Sequence, residues 1–203
     1  MEGDHESESR IHSNADVDLV RIIRKCRVEQ GAVLLGASGG VLIPTGDYKD
    51  VGNTGFGAGV DVDYVLSPSG SIGVKLAYNR NDFSDEFKQA LADTTGVPID
   101  GHFTIMHYGV HGRLFLSPES KTRPFITIGG GFYNFKVTAE AFGSFGSDSE
   151  TKGGINGGVG LLFDAGSSAH VAIQGTYHDI FTSESSTQYI NAGVAVMFDL
   201  GKK

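Results

Sequence analysis

The chain of 203 residues has no tryptophan, one cysteine, five prolines and no long apolar run. Each shortage excludes something. The single Cys26 rules out an internal disulfide. Its surroundings, IIRKCRVEQ, lack the small residues expected before a lipid-modified cysteine, so it reads as an ordinary thiol. No segment approaches the ~20 apolar residues a membrane-spanning helix requires. That excludes helical membrane proteins and leaves open chains that hide their hydrophobicity in alternation. Basic residues are in the minority, 16 against 24 acidic, for a net charge of -8. Nothing in that balance suggests nucleic-acid binding. Hydrophobic content, 39%, is low for an ordinary globular core.

What the chain has in quantity is glycine, 30 residues, set among alternating apolar positions. In TGFGAGVDVDYVL (54 to 66), Phe56, Ala58, Val60, Val62, Tyr64 and Leu66 share one side. Gly57, Gly59, Asp61 and Asp63 share the other, with Val65 the exception. Period-two alternation predicts a strand with two unlike faces. The same pattern recurs from residue 31 to the end. It predicts eight strands, at about 33–43, 54–66, 71–80, 103–116, 124–137, 155–164, 169–180 and 189–200. Connections two, four and six are short, as in SPSG and AGSS; the others are mostly long. An up-and-down meander places these two sets at opposite ends. The stretch EFKQALADTT within 81–102 predicts a helical turn or two. Residues 1–30 are polar and charged and form a separate N-terminal segment, disordered or weakly helical, before a barrel domain at 31–203. No secretory signal is legible there: the charged start is acidic, and no clean apolar core follows.

The orientation of the faces follows from their composition. The polar faces hold Gly, Ala, Asn, Gln, Thr and His, unlike solvated strands, which are rich in Lys and Glu. Small residues suit the tight interior of an eight-stranded barrel. Pointing the apolar faces inward overfills that interior; pointed at lipid they need no packing partner. The expected fold is therefore all-β, an eight-stranded antiparallel up-and-down transmembrane β-barrel. Its lipid-facing set includes Val60, Val62, Tyr64, Leu76, Tyr78, Val159, Leu161, Ile173, Val194, Val196 and Phe198. Tyr64, Tyr78, Tyr108, Phe163, Tyr177, Tyr189 and Phe198 are candidates for aromatic girdles. The lumen then receives Asp61, Asp63, Lys75, His107, His111, Arg113, Asp164, His170 and His178. Buried charges need partners. Pairing Leu66 with Gly70 sets Lys75 opposite Asp61; pairing Leu66 with Ile72 sets it opposite Asp63. Asp164 and His170 meet across AGSS. These residues are expected to form one polar network that plugs the barrel.

Three segments carry a family resemblance: SGGVLIPTGDY (38–48), RPFITIGGGFY (123–133) and INAGVAVMFDL (190–200). Together they make residues 31–200 resemble the small outer-membrane β-barrel proteins, the eight-stranded kind typified by OmpA, OmpX and OmpW. The resemblance implies a place in the outer membrane of a Gram-negative cell. It also implies short periplasmic turns, longer extracellular loops, contact with outer-membrane lipids and insertion by the outer-membrane assembly machinery. In the family the last strand usually finishes on an aromatic residue; here Phe198 is followed by Asp-Leu-Gly-Lys-Lys.

Chemistry-bearing patterns are few. His107 and His111 stand about 13 Å apart on a strand, too far for one metal ion. HDIFTSES (178–185) gathers His178, Asp179, Ser183 and Ser185. A lipid A-type hydrolase built on His178 is one reading of it, and an ordinary serine-rich loop is the preferred one. The glycine clusters lack the Lys-Ser/Thr and helix of a phosphate loop. No catalytic residue, metal or cofactor is expected. The expected role is structural, adhesive or a passage for small solutes, with recognition by loops 81–102 and 138–152. The alternative is a soluble lipocalin-type barrel with its apolar face around a small hydrophobic ligand.

Overall fold

The computed structural model describes residues 29–141, 144–182 and 186–202. The expected N-terminal segment and Cys26 lie, apart from residues 29 and 30, outside the described residues. Eight strands follow in order: β1 (Ala32–Thr45), β2 (Gly55–Ser67), β3 (Gly70–Asp82), β4 (Asp100–Phe115), β5 (Thr122–Ala141), β6 (Ser144–Asp164), β7 (Ala169–Phe181) and β8 (Ser186–Lys202). Each pairs antiparallel with the next, and β8 pairs with β1, so the sheet closes into a barrel. Closure removes both sheet edges. No helix among the described residues is long and apolar enough to cross a membrane, which says nothing of a barrel.

Register decides orientation. Val60 pairs with Leu76 and Asp61 with Lys75, the first of the two registers considered. The eleven side chains expected to face lipid all point outward, between 37% and 63% exposed. Asp61 (3%), Asp63 (0%), His107 (2%) and His178 (2%) point inward. Large apolar side chains lie exposed on every strand, from Leu35 on β1 to Leu200 on β8. A protein in water rarely exposes such an area; one in hydrocarbon has no reason to hide it. This overturns the lipocalin-type alternative, which needs the same residues inside.

Two expectations need correction. Segment 138–152 is not a loop: β5 runs to Ala141 and β6 starts at Ser144, with pairing from Ala141↔Ser144 inward. The hairpin continues the sheet because the ladder between β5 and β6 runs unbroken beyond the apolar band, to Ala141↔Ser144. Tyr189, read as a girdle residue, faces inward and is fully buried, since it shares its parity with Asn191 and Met197.

The barrel's two ends differ. Short connections, including 68–69 and 165–168, close one end, where Ala32 pairs with Lys202. The other end carries a 3-10 turn (Gly46–Asp50), the helix α1 (Asp85–Thr95) and the long β5–β6 hairpin. The helix is longer than the expected turn or two. Ser84 caps its N-terminus by accepting from the Phe87 amide at 3.1 Å, and Gly96 ends it at φ 72°, a left-handed position.

Candidate functional site

The inward faces assemble three layers. At the loop end Leu42, Tyr48, Phe83, Phe103, Ile105 and Ile180 form an apolar cluster, with Tyr133 and Tyr189 at its lower edge. Phe87 and Leu91 of α1 and Phe135 and Val137 of β5 pack against it. Phe103 sits 4.8 Å from Phe83 and 5.4 Å from Phe135, ring to ring. The Tyr48 hydroxyl donates to Asn81 Oδ1 at 2.6 Å. Burial pushes the Tyr48 phenol above its ordinary pKa, and the Asn81 bond offsets only part of that. On the rim, Lys88 of α1 lies 3.1 Å from Asp100, and that hydrogen bond raises its pKa.

The middle layer is ionic. Arg113 Nη1 donates to Asp63 Oδ2 at 2.9 Å, and Nη2 lies 3.7 Å from Asp61 Oδ2. Asp63 Oδ1 takes His111 Nε2 at 2.9 Å and Ser71 Oγ at 3.2 Å. Lys75, the cross-strand partner of Asp61, makes no ion pair within 4 Å among the described residues, so direct opposition did not produce the expected bond. Its place at the carboxylates is filled from β4, because the guanidinium fork reaches two acids where an ammonium reaches one. Above, His107 stacks on Tyr133 at 4.3 Å, and His178 stacks on Tyr189 at 4.5 Å. Tyr133 Oη lies 3.0 Å from His178 Nδ1 and accepts from Asn156 Nδ2 at 3.1 Å.

The third group lies near the short turns. Asp164 faces His170 across β6 and β7, with Nδ1 to Oδ1 2.8 Å, and Arg123 from β5 ion-pairs with Asp164. Buried Phe115, Phe125, Leu162, Ala172, Ala195 and Met197 pack in the same part of the lumen. The nine lumen residues therefore all face inward but divide between separate groups rather than one network. Asn156 and Met197 were expected on the inner faces without an assigned role, while Arg123, Tyr133, Tyr189 and inward apolar residues such as Leu34, Leu42 and Leu162 were not anticipated. Their parity carried the signal: doublets such as Leu34-Leu35, Leu42-Ile43 and Leu161-Leu162 break the binary pattern, placing an apolar residue on each face near the strand ends.

Asp61, Asp63 and His111 offer ligand atoms within 4.8 Å of one another. Arg113 already occupies that space, and a metal cation there would have to displace a hydrogen-bonded guanidinium. His107 and His111 take different partners, as their spacing required. His178 is buried against Tyr133, while Asp179 follows it on the opposite face. Ser183 and Ser185 lie outside the described residues.

Residues 28–198 match the model of the outer membrane protein beta-barrel domain. No curated protein matches the chain. The Neisserial surface protein A superposes with a TM-score of 0.58 at 12% identity, covering 83% of this chain and 97% of that one. A major outer membrane protein of Thermus thermophilus gives 0.55 at 10%, covering 83% and 99%. Ail, the attachment invasion locus protein of Yersinia pestis, gives 0.53 at 16%, again covering 83% and 99%. At these identities the likeness is one of fold. The apolar outer face, the closed eight-stranded meander and the family match agree on a location in the bacterial outer membrane. The chain belongs to the outer-membrane proteins built on a β-barrel domain.

Proposed function

We propose that this protein is a non-enzymatic outer-membrane barrel with a plugged lumen, serving a structural or adhesive role through its loop end. The observation that carries the reading is the stacking of closed layers along the axis. An apolar cluster capped by α1 and the 3-10 turn lies over an ion cluster, with a further packed group near the short turns. Two lumen cavities, one bordered by Asn79, Thr176 and Asn191 and one by His107, Arg113 and His178, measure about 40 and 20 Å3, far below a channel. An eight-stranded barrel has little more interior than its side chains fill. Passage of small solutes is therefore the weaker variant of the role.

The projecting surface supports an adhesive reading. The β5–β6 hairpin and α1 present charged and polar groups outward, including Lys136, Glu140 and Asp93, on an apolar inner scaffold. Among relatives of fold, Ail is named for attachment; for this chain adhesion is the proposal. Catalysis at His178 lacks support, since among the described residues no serine bonds that ring. We also take insertion to depend on the outer-membrane assembly machinery, reading β8, with Val194, Val196 and Phe198 on its lipid side, as the closing strand.

Planar-bilayer recording tests the plug. The purified protein should show no stepwise conductance, and Phe103→Ala combined with Phe83→Ala should introduce leak currents. Stable open-channel steps from the unmodified protein would overturn the plugged reading and favour solute passage. Binding of protein-bearing vesicles to host-cell surfaces, lost on excising 138–147, tests the adhesive part.

A further inference from the structure

One mid-lumen cavity of about 20 Å3 is lined by Lys75, His107, His111, Arg113, Asn156 and His178, among others. It shares Lys75 and Thr176 with the neighbouring cavity of about 40 Å3. His107 is 2% exposed, yet neither ring nitrogen has a hydrogen-bond partner. Its ring position is fixed by stacking on Tyr133. His178 is equally buried, and its protonation follows from its neighbours. The Tyr133 hydroxyl accepts from Asn156, so it satisfies its own donor at His178 Nδ1. That leaves the His178 proton on Nε2, which has no protein acceptor. Arg113 Nε–H is likewise unpartnered, and the Lys75 ammonium makes no ion pair within 4 Å among the described residues. Donors thus line a small space beside the carboxylates, where both Asp63 oxygens are already bonded and Asp61 Oδ2, 3.7 Å from Arg113 Nη2, has no hydrogen-bond partner of its own. Leaving the buried nitrogens of His107, His178 and Arg113 unbonded costs free energy that an occupant of the cavity recovers.

The charges restrict the occupant. Asp61 and Asp63 on β2 balance Arg113 on β4 and Lys75 on β3. His111 gives its Nε2 proton to Asp63, and the phenols of Tyr133 and Tyr189 on β5 and β8 flank the two remaining histidines. A metal cation is disfavoured by Lys75 and Arg113. A tetrahedral oxyanion is too large, because this volume holds about one or two water-sized spheres. A monatomic anion fits in size and is an acceptor for the unpartnered nitrogens of the lining residues His107, His178 and Arg113. Alone it would leave one uncompensated negative charge; a proton on His107 restores neutrality and turns both free ring nitrogens into donors.

We propose that this cavity binds one monatomic anion of halide size, taken up together with one proton carried by His107. The inference rests on the inward orientation of β3, β4 and β7, not on the adhesive reading of the loop end. The occupant stabilises the folded barrel by mass action, so its binding is readable as a shift in melting temperature.

The full chain in detergent micelles is melted at constant ionic strength in sodium bromide and in sodium gluconate, at about pH 5.5 and about pH 8. Bromide should raise the melting temperature at the lower pH and have little effect at the higher. The apparent dissociation constant should rise about tenfold per pH unit above the histidine titration, the slope for one proton per anion. Crystals grown in bromide at the lower pH should show anomalous density between Lys75 and His107. H107F keeps the aromatic stack on Tyr133 and removes both nitrogens; it should abolish the bromide shift. Equal melting in the two salts at about pH 5.5, a shift independent of pH, a shift retained in H107F, or bromide density only on the surface would each overturn the proposal. If H107F does not fold, the pH slope and the anomalous map of the unmodified protein decide alone. Conductance measurements are independent of all these readings.

Discussion

Arg113 is shared by two carboxylates, and its removal strands both in the lumen. Arg113→Met should cost about 3–5 kcal/mol, the usual penalty for breaking a buried ion pair. Lys75→Met should cost less, because no carboxylate lies within ion-pair distance of the ammonium. Urea unfolding midpoints in lipid vesicles rank the two; a larger loss at Lys75 would contradict the assignment. Glycines can be ranked the same way. A Cβ on inward Gly40 would run into the Ala192 carbonyl and Gly193, and backbone there cannot move aside. A Cβ on outward Gly39 meets only Gly57 O at 3.8 Å. Gly40→Val should cost about 1–3 kcal/mol, while Gly39→Val should fold in normal yield. At this scale the sequence made the inward acids and histidines legible, since parity alone assigns a face. Which cation meets which acid was not legible. Lys75 is the cross-strand neighbour of Asp61, yet Arg113 from β4 reaches both acids, an outcome of side-chain length and barrel curvature.

Elements at the loop end depend on one another. Ser84 Oγ accepts from the Phe87 amide and donates to the Asp50 carbonyl at 2.8 Å, joining α1 to the 3-10 turn. Ser84→Ala should cost about 1 kcal/mol locally. It would be seen as faster amide exchange in 85–95 with no change in barrel amides. The turn also carries a pH dependence. The Tyr48 pKa is raised in the folded state, so the cap keeps full stability below the unfolded phenol's value, about 10. It loses stability as the pH rises past that value, because only the unfolded cap ionises there. Protease cleavage of the loop end should increase between about pH 8 and about pH 11, and Tyr48→Phe should remove the Tyr48 share of that increase. The eight strands were all readable from alternation. The β5–β6 extension was not, because polar residues outside a lipid band look the same in a strand as in a loop; pairing from Ala141↔Ser144 onward is what makes them strand.

For the molecule as a whole, the solvent of the outer face is hydrocarbon, and substitutions there follow depth. Val194→Arg, mid-strand on β8, should cost about 2–4 kcal/mol, and Thr138→Arg, beyond the band on β5, about 0–1 kcal/mol. Unfolding titrations in vesicles measure both. Equal costs at the two positions would argue against a lipid band on this face. The protein should need detergent for extraction and migrate differently on gels before and after heating, since a closed barrel resists unfolding by detergent alone.

Sequence by itself determined the strand count, the meander, the two unlike faces and which of them meets lipid. These properties follow from a period of two and from how much side-chain volume an eight-stranded interior can hold. Tertiary structure decided the contents of the lumen in detail. Arg123 reaches Asp164 from a neighbouring strand, and Asn156, Tyr133 and His178 join from three strands. Phe83 and Phe103, twenty residues apart, meet under α1. Such contacts depend on barrel closure and strand stagger, which bring together residues that no local pattern relates.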